Sequence, residues 1–337
     1  MSAPITQPTP NWLERMVRDY SAFVVALVAA FMVIFFIGMA TAPNFLTLFN
    51  LKTIIRDAAL VGIMAIGLTF VTLSGNFFLL SLKETAALSI VAFATSMSAG
   101  YGFEISFSFT MLIALISGMS QGVLIGLGGN PIVVTLGAAG LLFGLGSYWS
   151  DNLVISFRRP HGAEWLGTGS FLGLPNITVA FILIAIAAEM TLRYTTFGRQ
   201  VYLIGANRAA GKATGHENFG MAIKTCAIAS VCAAFVAIAF SAQVSSAHVN
   251  YFSSEFGSSG DMTIMVIATV MVGGNSIMGG YGSTLRSSFG AVFISTVDNM
   301  MVLHGFNSGP RVLAVGLMIV FSIMVFALVR RGSRSQE

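Results

Sequence analysis

The chain has 337 residues, of which 55% are hydrophobic and only 9% are charged. A soluble globular domain carries roughly 25% charged residues, so this composition excludes a protein wetted on all sides and predicts contact with membrane lipid. The formal charge of +4 comes from 17 basic and 13 acidic residues that lie at the ends of apolar runs. A nucleic-acid binder gathers its charge in a basic patch, so no nucleic-acid partner is predicted.

Apolar runs of membrane-spanning length recur along the chain, and a spanning helix needs roughly 20 mostly apolar residues. The first run exceeds the apolar core of a signal peptide and is followed by Pro43, so we expect an uncleaved helix there. We predict an all-α integral membrane protein of about ten transmembrane helices, with tails at residues 1–20 and 330–337 and a transmembrane domain at 21–329. The predicted spans are 21–40, 58–74, 85–103, 105–127, 132–149, 176–192, 225–247, 262–280, 287–303 and 311–329.

Lysine and arginine are distributed unevenly between the predicted loops. With the N-terminus inside, twelve of them fall in cytoplasmic segments, Lys83 among them, and five fall in outer segments, which include Arg56 and Arg311. Because basic residues favour the cytoplasmic side, both termini and the long inner loop, residues 193–224, are expected to be cytoplasmic. Residues 150–175 then form an outer loop.

Two short stretches resemble each other and suggest an internal repeat. Residues 73–76 (Leu-Ser-Gly-Asn) end the second predicted span, residues 272–275 (Val-Gly-Gly-Asn) occur in the eighth, and both open regions of broken hydrophobicity. Transporters are often built from repeated halves whose broken segments approach the substrate path. We therefore predict that Asn76 and Asn275 border the translocation pathway.

Glu189 and Asp298 are the clearest acidic residues inside apolar runs. Glu189 lies one helical turn before Arg193, which predicts a local salt bridge near the inner interface. Asp298 has no basic residue within reach in its own helix, and we assign it to the interior and the substrate pathway. The main alternative function, an ion-coupled secondary transporter, would require one of these acids to titrate during transport. Two acidic residues are few for a proton relay across a membrane, which disfavours that alternative.

No motif of an enzyme active site is present. The four histidines are scattered, none forms the H-x-x-x-H pair typical of zinc sites, and the G-x-S-x-G pattern of a serine nucleophile is absent. Residues 205–213 approach a phosphate loop, but the spacing before Gly211-Lys212 is five residues instead of four, and Ala213 lacks the magnesium-binding hydroxyl. We therefore predict no catalytic residue, no cofactor and no metal.

Three motifs follow one another along the chain. Residues 131–137 place a proline before threonine, leucine and glycine, and residues 272–283 form a glycine-rich stretch. Between them, the inner loop holds Phe197, Gly198, Arg199, Tyr202, Ile204, Gly205, Asn207, Ala209, Ala210 and Gly215. In this order and spacing, over about residues 40–329, the motifs resemble the ABC-importer permeases of the ribose-type monosaccharide branch.

The resemblance implies a permease subunit, with a type II-like importer fold, of an ATP-driven importer in the bacterial cytoplasmic (inner) membrane. Its solute would be a monosaccharide or a similar small polyhydroxylated compound. The implied partners are an ABC ATPase subunit, an extracytoplasmic solute-binding protein and a second permease subunit, either identical or different. The branch commonly has an acidic residue after its second span where this chain has Phe78, so Phe78 is assigned to the substrate pathway and the identity of the solute stays open.

The resemblance also implies that the inner loop forms a short coupling helix seated in the ATPase. Residues 205–219 are predicted to form it, since Ala209 and Ala210 have high helix propensity and Gly215 offers a left-handed stop. Arg208 and Lys212, four residues apart, would share one face. The predicted coupling residues are Gly205, Asn207, Arg208, Ala209, Ala210, Lys212 and Gly215. A passive connecting loop is the alternative for this segment, and a structural membrane scaffold is a third alternative for the whole chain.

Overall fold

The computed structural model describes residues 28–29, 31–42, 44–158, 161–213, 215, 218–252 and 261–334, with side chains up to Met324 apart from that of His161. The predicted tail at residues 1–20 and the beginning of the first predicted span lie outside the described residues. The predicted tail at residues 330–337 is helical as far as Arg334, because the last helix continues beyond the predicted boundary.

The described chain is largely helical, and four strands of two residues each complete it. The strands form two antiparallel pairs, β1 (Ile155–Ser156) with β4 (Ser246–Ala247) and β2 (Ser170–Phe171) with β3 (Leu174–Pro175). The helices are α1 (Phe31–Thr41), α2 (Leu48–Leu73), α3 (Leu82–Ser98), α4 (Phe103–Gly126), α5 (Pro131–Ser150), α6 (His161–Gly167), α7 (Asn176–Tyr194), α8 (Thr196–Ala206), α9 (Arg208–Ala213), α10 (Asn218–Val244), α11 (Met262–Val272), α12 (Thr284–Leu303) and α13 (Ser308–Arg334).

Five helices of the described chain, α2, α4, α5, α7 and α10, are long and apolar enough to cross a membrane, and α1, α11 and the first part of α13 are shorter apolar helices. The prediction of an all-α membrane protein is confirmed at this level. The count of about ten spans stays a prediction, since the structure includes no membrane.

Capping residues decide where two helices begin. The sequence predicted a second span from residue 58, because Lys52 and Arg56 interrupt the apolar run. Helix α2 starts ten residues earlier, where the Thr47 hydroxyl accepts a hydrogen bond from the Asn50 amide at 3.3 Å. Asn130 caps α5 in the same way, with Pro131 in the first turn of the helix.

Helix α11 is shorter than predicted. The sequence predicted a span over 262–280, but the helix ends at Val272 and is followed by a glycine-rich segment, residues 273–283, without helical structure. Four glycines of this segment have positive φ, which ends helices readily: Gly274, Gly279, Gly280 and Gly282.

The core lies around α2 and α10, whose apolar windows are 83% and 72% buried. Small residues allow the central helices to approach closely: a Cβ added to Gly122 of α4 would lie 2.5 Å from the Ile223 Cα of α10. Helix α5 is the opposite case, because only 17% of its apolar window is buried and side chains such as Leu136 and Leu141 point away from the bundle. This outward apolar face is typical of a helix in contact with lipid or with another membrane subunit.

Candidate functional site

Three segments far apart in sequence converge at one end of the bundle: the end of α2, helix α8 and the glycine-rich segment. The Gly280 amide donates a hydrogen bond of 2.9 Å to the Leu73 carbonyl. The Tyr202 hydroxyl of α8 donates one of 2.8 Å to the Gly282 carbonyl. The inner loop is therefore held directly against the ends of two central helices.

Gly205 makes this contact sterically possible. A Cβ at this position would overlap the Leu73 carbonyl oxygen and lie 2.6 Å from the Gly280 backbone nitrogen. Gly279, at φ +90°, packs in the same place, since a Cβ there would meet the Gly75 Cα at 2.8 Å. The three backbones touch without intervening side chains, so a displacement of α8 reaches its neighbours without slack.

The coupling helix predicted at residues 205–219 is divided into two parts. Gly205 belongs to α8, which ends at an extended Asn207, and the six-residue α9 follows. The Asn207 side chain accepts hydrogen bonds from the Ala209 and Ala210 amides at 2.9 and 3.2 Å and so caps α9. Gly215 has φ +79°, as its predicted role of helix stop requires. Exposed residues of α9 are Arg208, Ala209, Ala210, Lys212 and Ala213.

Arg208 and Lys212 are both exposed and lie four residues apart on α9, which agrees with the predicted shared face. Arg208 also reaches back to the end of α2. Its guanidinium donates hydrogen bonds of 2.6 Å to the Gly75 carbonyl and 2.8 Å to the Asn76 side-chain oxygen. The sequence analysis did not predict this contact.

Asn76 is fully buried, so its side chain lines no open surface in this structure. Apart from its bond to Arg208, its amide donates to the Ser74 hydroxyl at 3.0 Å. The assignment of Asn76 to the substrate pathway therefore finds no support in its position. The geometry is that of a residue that joins the end of α2 to the inner loop.

Asn275 is also buried and fully engaged. Its amide donates to the Val270 carbonyl at 3.1 Å and the Ser287 hydroxyl at 2.8 Å, and its oxygen accepts the Ser283 amide at 2.7 Å. These bonds close the glycine-rich segment onto the beginning of α12. The side chain is 3% exposed, so its assignment to the pathway likewise finds no support here.

The two stretches of the suspected repeat end their helices in the same way. Gly75 and Gly274 both have φ +76°, and the amides of the asparagines that follow them bond back to carbonyls five residues earlier, each at 3.3 Å. Each glycine amide also bonds to the carbonyl three residues earlier, at 2.9 and 2.8 Å. This is the Schellman motif, which also ends helices at Gly100, Gly128 and Gly305, so it does not by itself show a repeat, and the internal repeat stays a prediction.

Glu189 connects the inner loop to α12. The predicted salt bridge with Arg193 is confirmed, since the two side chains meet at 2.5 Å. The second carboxylate oxygen of Glu189 accepts hydrogen bonds from the Ser283 hydroxyl at 2.7 Å and from the Thr284 amide and hydroxyl at 3.0 and 2.8 Å. A carboxylate at this position satisfies the free amides of the first turn of α12. The sequence analysis found the ion pair and missed the cap, although Ser283-Thr284 is a capping sequence.

Asp298 forms an ion pair with Arg311, on the next helix. The guanidinium donates to both carboxylate oxygens, at 2.9 and 2.5 Å, and Arg311 is only 2% exposed. Arg311 was counted with the outer segments, and the structure places it in the first turn of α13, buried against α12. Asp298 borders an internal cavity of about 150 Å³ that Arg56, Asp57 and Ser295 also line.

Phe78 is half-buried and packs against the main core. The preceding Phe77 has φ +57° and is 36% exposed. Lys83, which was counted among the cytoplasmic residues, forms ion pairs with Glu84 and with Asp261 at the start of α11. Within the described chain, no group of three metal-ligating side chains lies close enough to hold a metal ion.

This architecture, a bundle of membrane-spanning helices whose inner loop is joined to two broken helix ends, is that of a multi-pass membrane permease. Residues 50–328 match the family described as "Branched-chain amino acid transport system / permease component", and the chain belongs to that family. No solved structure gives a significant match.

Several curated proteins are similar over nearly the whole chain. The probable ABC transporter permease protein YphD of Escherichia coli is 27% identical over 93% of this chain and 92% of its own length. The autoinducer 2 import system permease protein LsrC of Salmonella typhi is 27% identical over 93% and 88%. The ribose import permease protein RbsC of Bacillus subtilis is 27% identical over 84% and 86%. The resemblance to ABC-importer permeases is confirmed, and with it the prediction of a transport protein rather than an enzyme.

Proposed function

We propose that this chain is the permease subunit of an ATP-driven importer that carries a monosaccharide or similar small polyhydroxylated solute across the bacterial cytoplasmic membrane. Family membership supports the class of machine. The names of the relatives, which include ribose and autoinducer 2 import permeases, support the class of solute. The observation that carries the mechanism is the direct contact of α8 with the end of α2 and with the glycine-rich segment.

Exposed α9 is the contact point proposed for the ATPase subunit. Its small alanines permit close approach of another subunit. Among the described residues of α9, Gly211 is the one that is buried. A push on α9 reaches the end of α2 by two routes. Arg208 of α9 is hydrogen-bonded to the Gly75 carbonyl, and Gly205 of the preceding helix lies directly against Leu73. The same push reaches the glycine-rich segment through Tyr202.

The second half of the transmission runs through α12. Glu189 stands at the end of α7, just before α8, and holds the first residues of α12. Asn275 ties the glycine-rich segment to Ser287 of the same helix. Because glycines at positive φ separate α11 from α12, the two helices can change their relative angle around this segment while each stays rigid. A rocking motion of this kind is the proposed basis of alternating access.

The complete importer is proposed to contain two ATPase subunits, an extracytoplasmic solute-binding protein and a second permease that is identical or different. The ten-span topology with both termini inside, inferred from the distribution of basic residues, is part of this proposal. The outward apolar side chains of α5 would contact lipid or the second permease.

The test is uptake by vesicles that contain the complete transporter, with a panel of D-ribose, D-xylose, D-galactose and myo-inositol. We expect uptake of at least one sugar to stop when ATP is depleted with the ion gradient intact. Uptake that survives ATP depletion and stops when the gradient is dissipated would instead identify a secondary transporter.

A further inference from the structure

A charged triad lies where α3 and α11 begin. It consists of Lys83 and Glu84, in the first turn of α3, and Asp261, the residue that caps α11. The Lys83 ammonium bonds to Asp261 and lies 3.3 Å from Glu84. One Asp261 oxygen also accepts the Thr263 amide at 2.8 Å. The hydrogen bonds described above for the inner loop do not involve these side chains.

The triad lies one length of α11 away from the end of the bundle that holds the inner loop. Helix α11 has 11 residues, which at 1.5 Å per residue is about 16 Å, roughly half of a hydrocarbon layer of about 30 Å. Its C-terminal end belongs to the same end of the bundle as that of α2, so Asp261 stands about half a membrane thickness away from the inner loop. Ser81, the residue before α3, donates a hydrogen bond to the Gln121 side chain near the end of α4. This bond places the beginning of α3 inside the bundle as well.

Charges at this depth need polar surroundings. The Asp261 side chain is 32% exposed and that of Lys83 is 15% exposed. Contact of these groups with lipid chains would cost several kcal/mol, so the exposed side of the triad faces an aqueous space or a polar partner. Ile264, which follows Thr263 on α11, is exposed as well.

Two polar atoms beside the triad have no hydrogen-bond partner among the residues that the structure describes. They are one carboxylate oxygen of Glu84 and the Thr263 hydroxyl, both inaccessible to solvent. Buried polar atoms in folded proteins are almost always paired, so orphans beside a half-open charged group indicate a missing ligand or water. Glu84 offers an acceptor, while Lys83 and the Thr263 hydroxyl offer donors.

We propose that Lys83, Glu84, Asp261 and Thr263 form a solute-contact site halfway along the translocation pathway. The site suits an uncharged polyhydroxylated solute, whose hydroxyl groups both donate and accept hydrogen bonds. One lysine and two carboxylates leave one negative charge, which repels phosphorylated or carboxylated solutes. The exposed Ile264 side chain offers an apolar contact for the face of a sugar ring. This inference rests on the proposed function and adds to it the place and chemistry of recognition.

Cysteine accessibility is the first test. Thr263→Cys is made in a transporter whose Cys226 and Cys232 are replaced by alanine, and Thr269→Cys, at a fully buried position on the same helix, is the matched control. Because the Thr263 hydroxyl is inaccessible in this structure, a water-soluble methanethiosulfonate reagent is expected to modify Thr263→Cys during ATP-driven turnover, when the pathway opens, and to leave Thr269→Cys unmodified. The transported sugar of the panel should slow the modification at least tenfold during turnover, and its phosphate ester should not. Equal resistance of both cysteines in every state, or a rate that the sugar does not change, would overturn the inference.

Kinetics is the second test. Glu84→Gln keeps the shape of the side chain and is expected to raise the apparent KM for sugar uptake at least tenfold. Glu104→Gln, at an exposed position at the start of α4, is the control and should stay within twofold. An unchanged KM in Glu84→Gln contradicts the inference. If the unmodified transporter takes up no sugar of the panel, the proposed function is overturned instead. The reactivity of Thr263→Cys without sugar then decides whether the site is aqueous.

Discussion

Glu189, at the end of α7, caps the first turn of α12 through Thr284, although 95 residues separate the two in sequence. The same carboxylate pairs with Arg193, so one side chain joins the segment that leads into the inner loop to the helix that follows the glycine-rich segment. Removal of its charge should therefore weaken the transmission between them.

We expect Glu189→Gln to lower sugar uptake about tenfold and to destabilise the protein by about 1–3 kcal/mol, because charge-assisted hydrogen bonds to the first turn of α12 are lost. Uptake in vesicles and thermal unfolding in detergent measure the two effects. Arg193→Gln is the control, since its side chain is 54% exposed and its loss leaves the cap in place. Equal loss in both variants would mean that the ion pair, rather than the cap, matters.

Arg208 and Asn76 should be energetically coupled through the hydrogen bond between their side chains. Arg208→Met and Asn76→Ala each break it, so the double variant should be less impaired than the sum of the single variants, with a coupling energy of about 0.5–3 kcal/mol. The measurement is solute-stimulated ATP hydrolysis together with unfolding by denaturant. Strict additivity would show that Arg208 acts elsewhere, for instance directly on the ATPase.

Gly205→Ala should abolish coupled transport, because the added methyl group overlaps the Leu73 carbonyl and the contact between α8 and α2 must open. Gly220→Ala is the matched control: nothing lies within 4 Å of its added Cβ, and alanine in a helix is favoured over glycine by about 0.5–1 kcal/mol. Uptake and the membrane level of each variant are measured. Normal uptake by Gly205→Ala would remove the close contact from the mechanism.

Ala210→Asp should weaken binding of the ATPase, because the exposed face of α9 is buried when the two subunits pack together and the new charge is left unpaired there. The expected cost is about 1–3 kcal/mol, or about five- to more than a hundred-fold in affinity. Ala210→Ser, a small uncharged change, is the control. Co-purification of the ATPase reports assembly, and the amount of permease in the membrane reports folding. If Ala210→Asp and Gly215→Pro both leave coupled hydrolysis unchanged, α9 is not the contact point.

Orientation is tested by labelling single cysteines in a background without Cys226 and Cys232. Leu172→Cys lies at the tip of the β2–β3 hairpin, where Leu172 is 88% exposed, and Lys212→Cys lies on α9. A membrane-impermeant maleimide should label the first only from outside and the second only after the vesicles are opened. Labelling of both from outside would contradict the proposed topology.

Local features of the sequence were sufficient for several predictions. The all-α membrane class, the Glu189–Arg193 pair and the left-handed Gly215 each depend on residues within one helix or one turn. The Schellman motifs that follow Leu73 and Val272 are also local, since their hydrogen bonds span only three to five residues. The helix beginnings at Thr47 and the split at Asn207 were missed, because a single side-chain cap outweighs the hydropathy of its neighbours.

The sequence by itself determined that the protein is a membrane bundle, because apolar length and charge distribution act along the chain, residue by residue. Only the tertiary structure decided which polar groups meet. Arg208 was predicted only to share a face with Lys212, and the structure adds its hydrogen bond to Asn76, 132 positions away. Asp298 seemed unpaired until Arg311 of the next helix was placed beside it. Lys83 and Asp261 are 178 positions apart. Buried charges must find partners, but helix packing selects the partner, and no local period in the sequence encodes that choice.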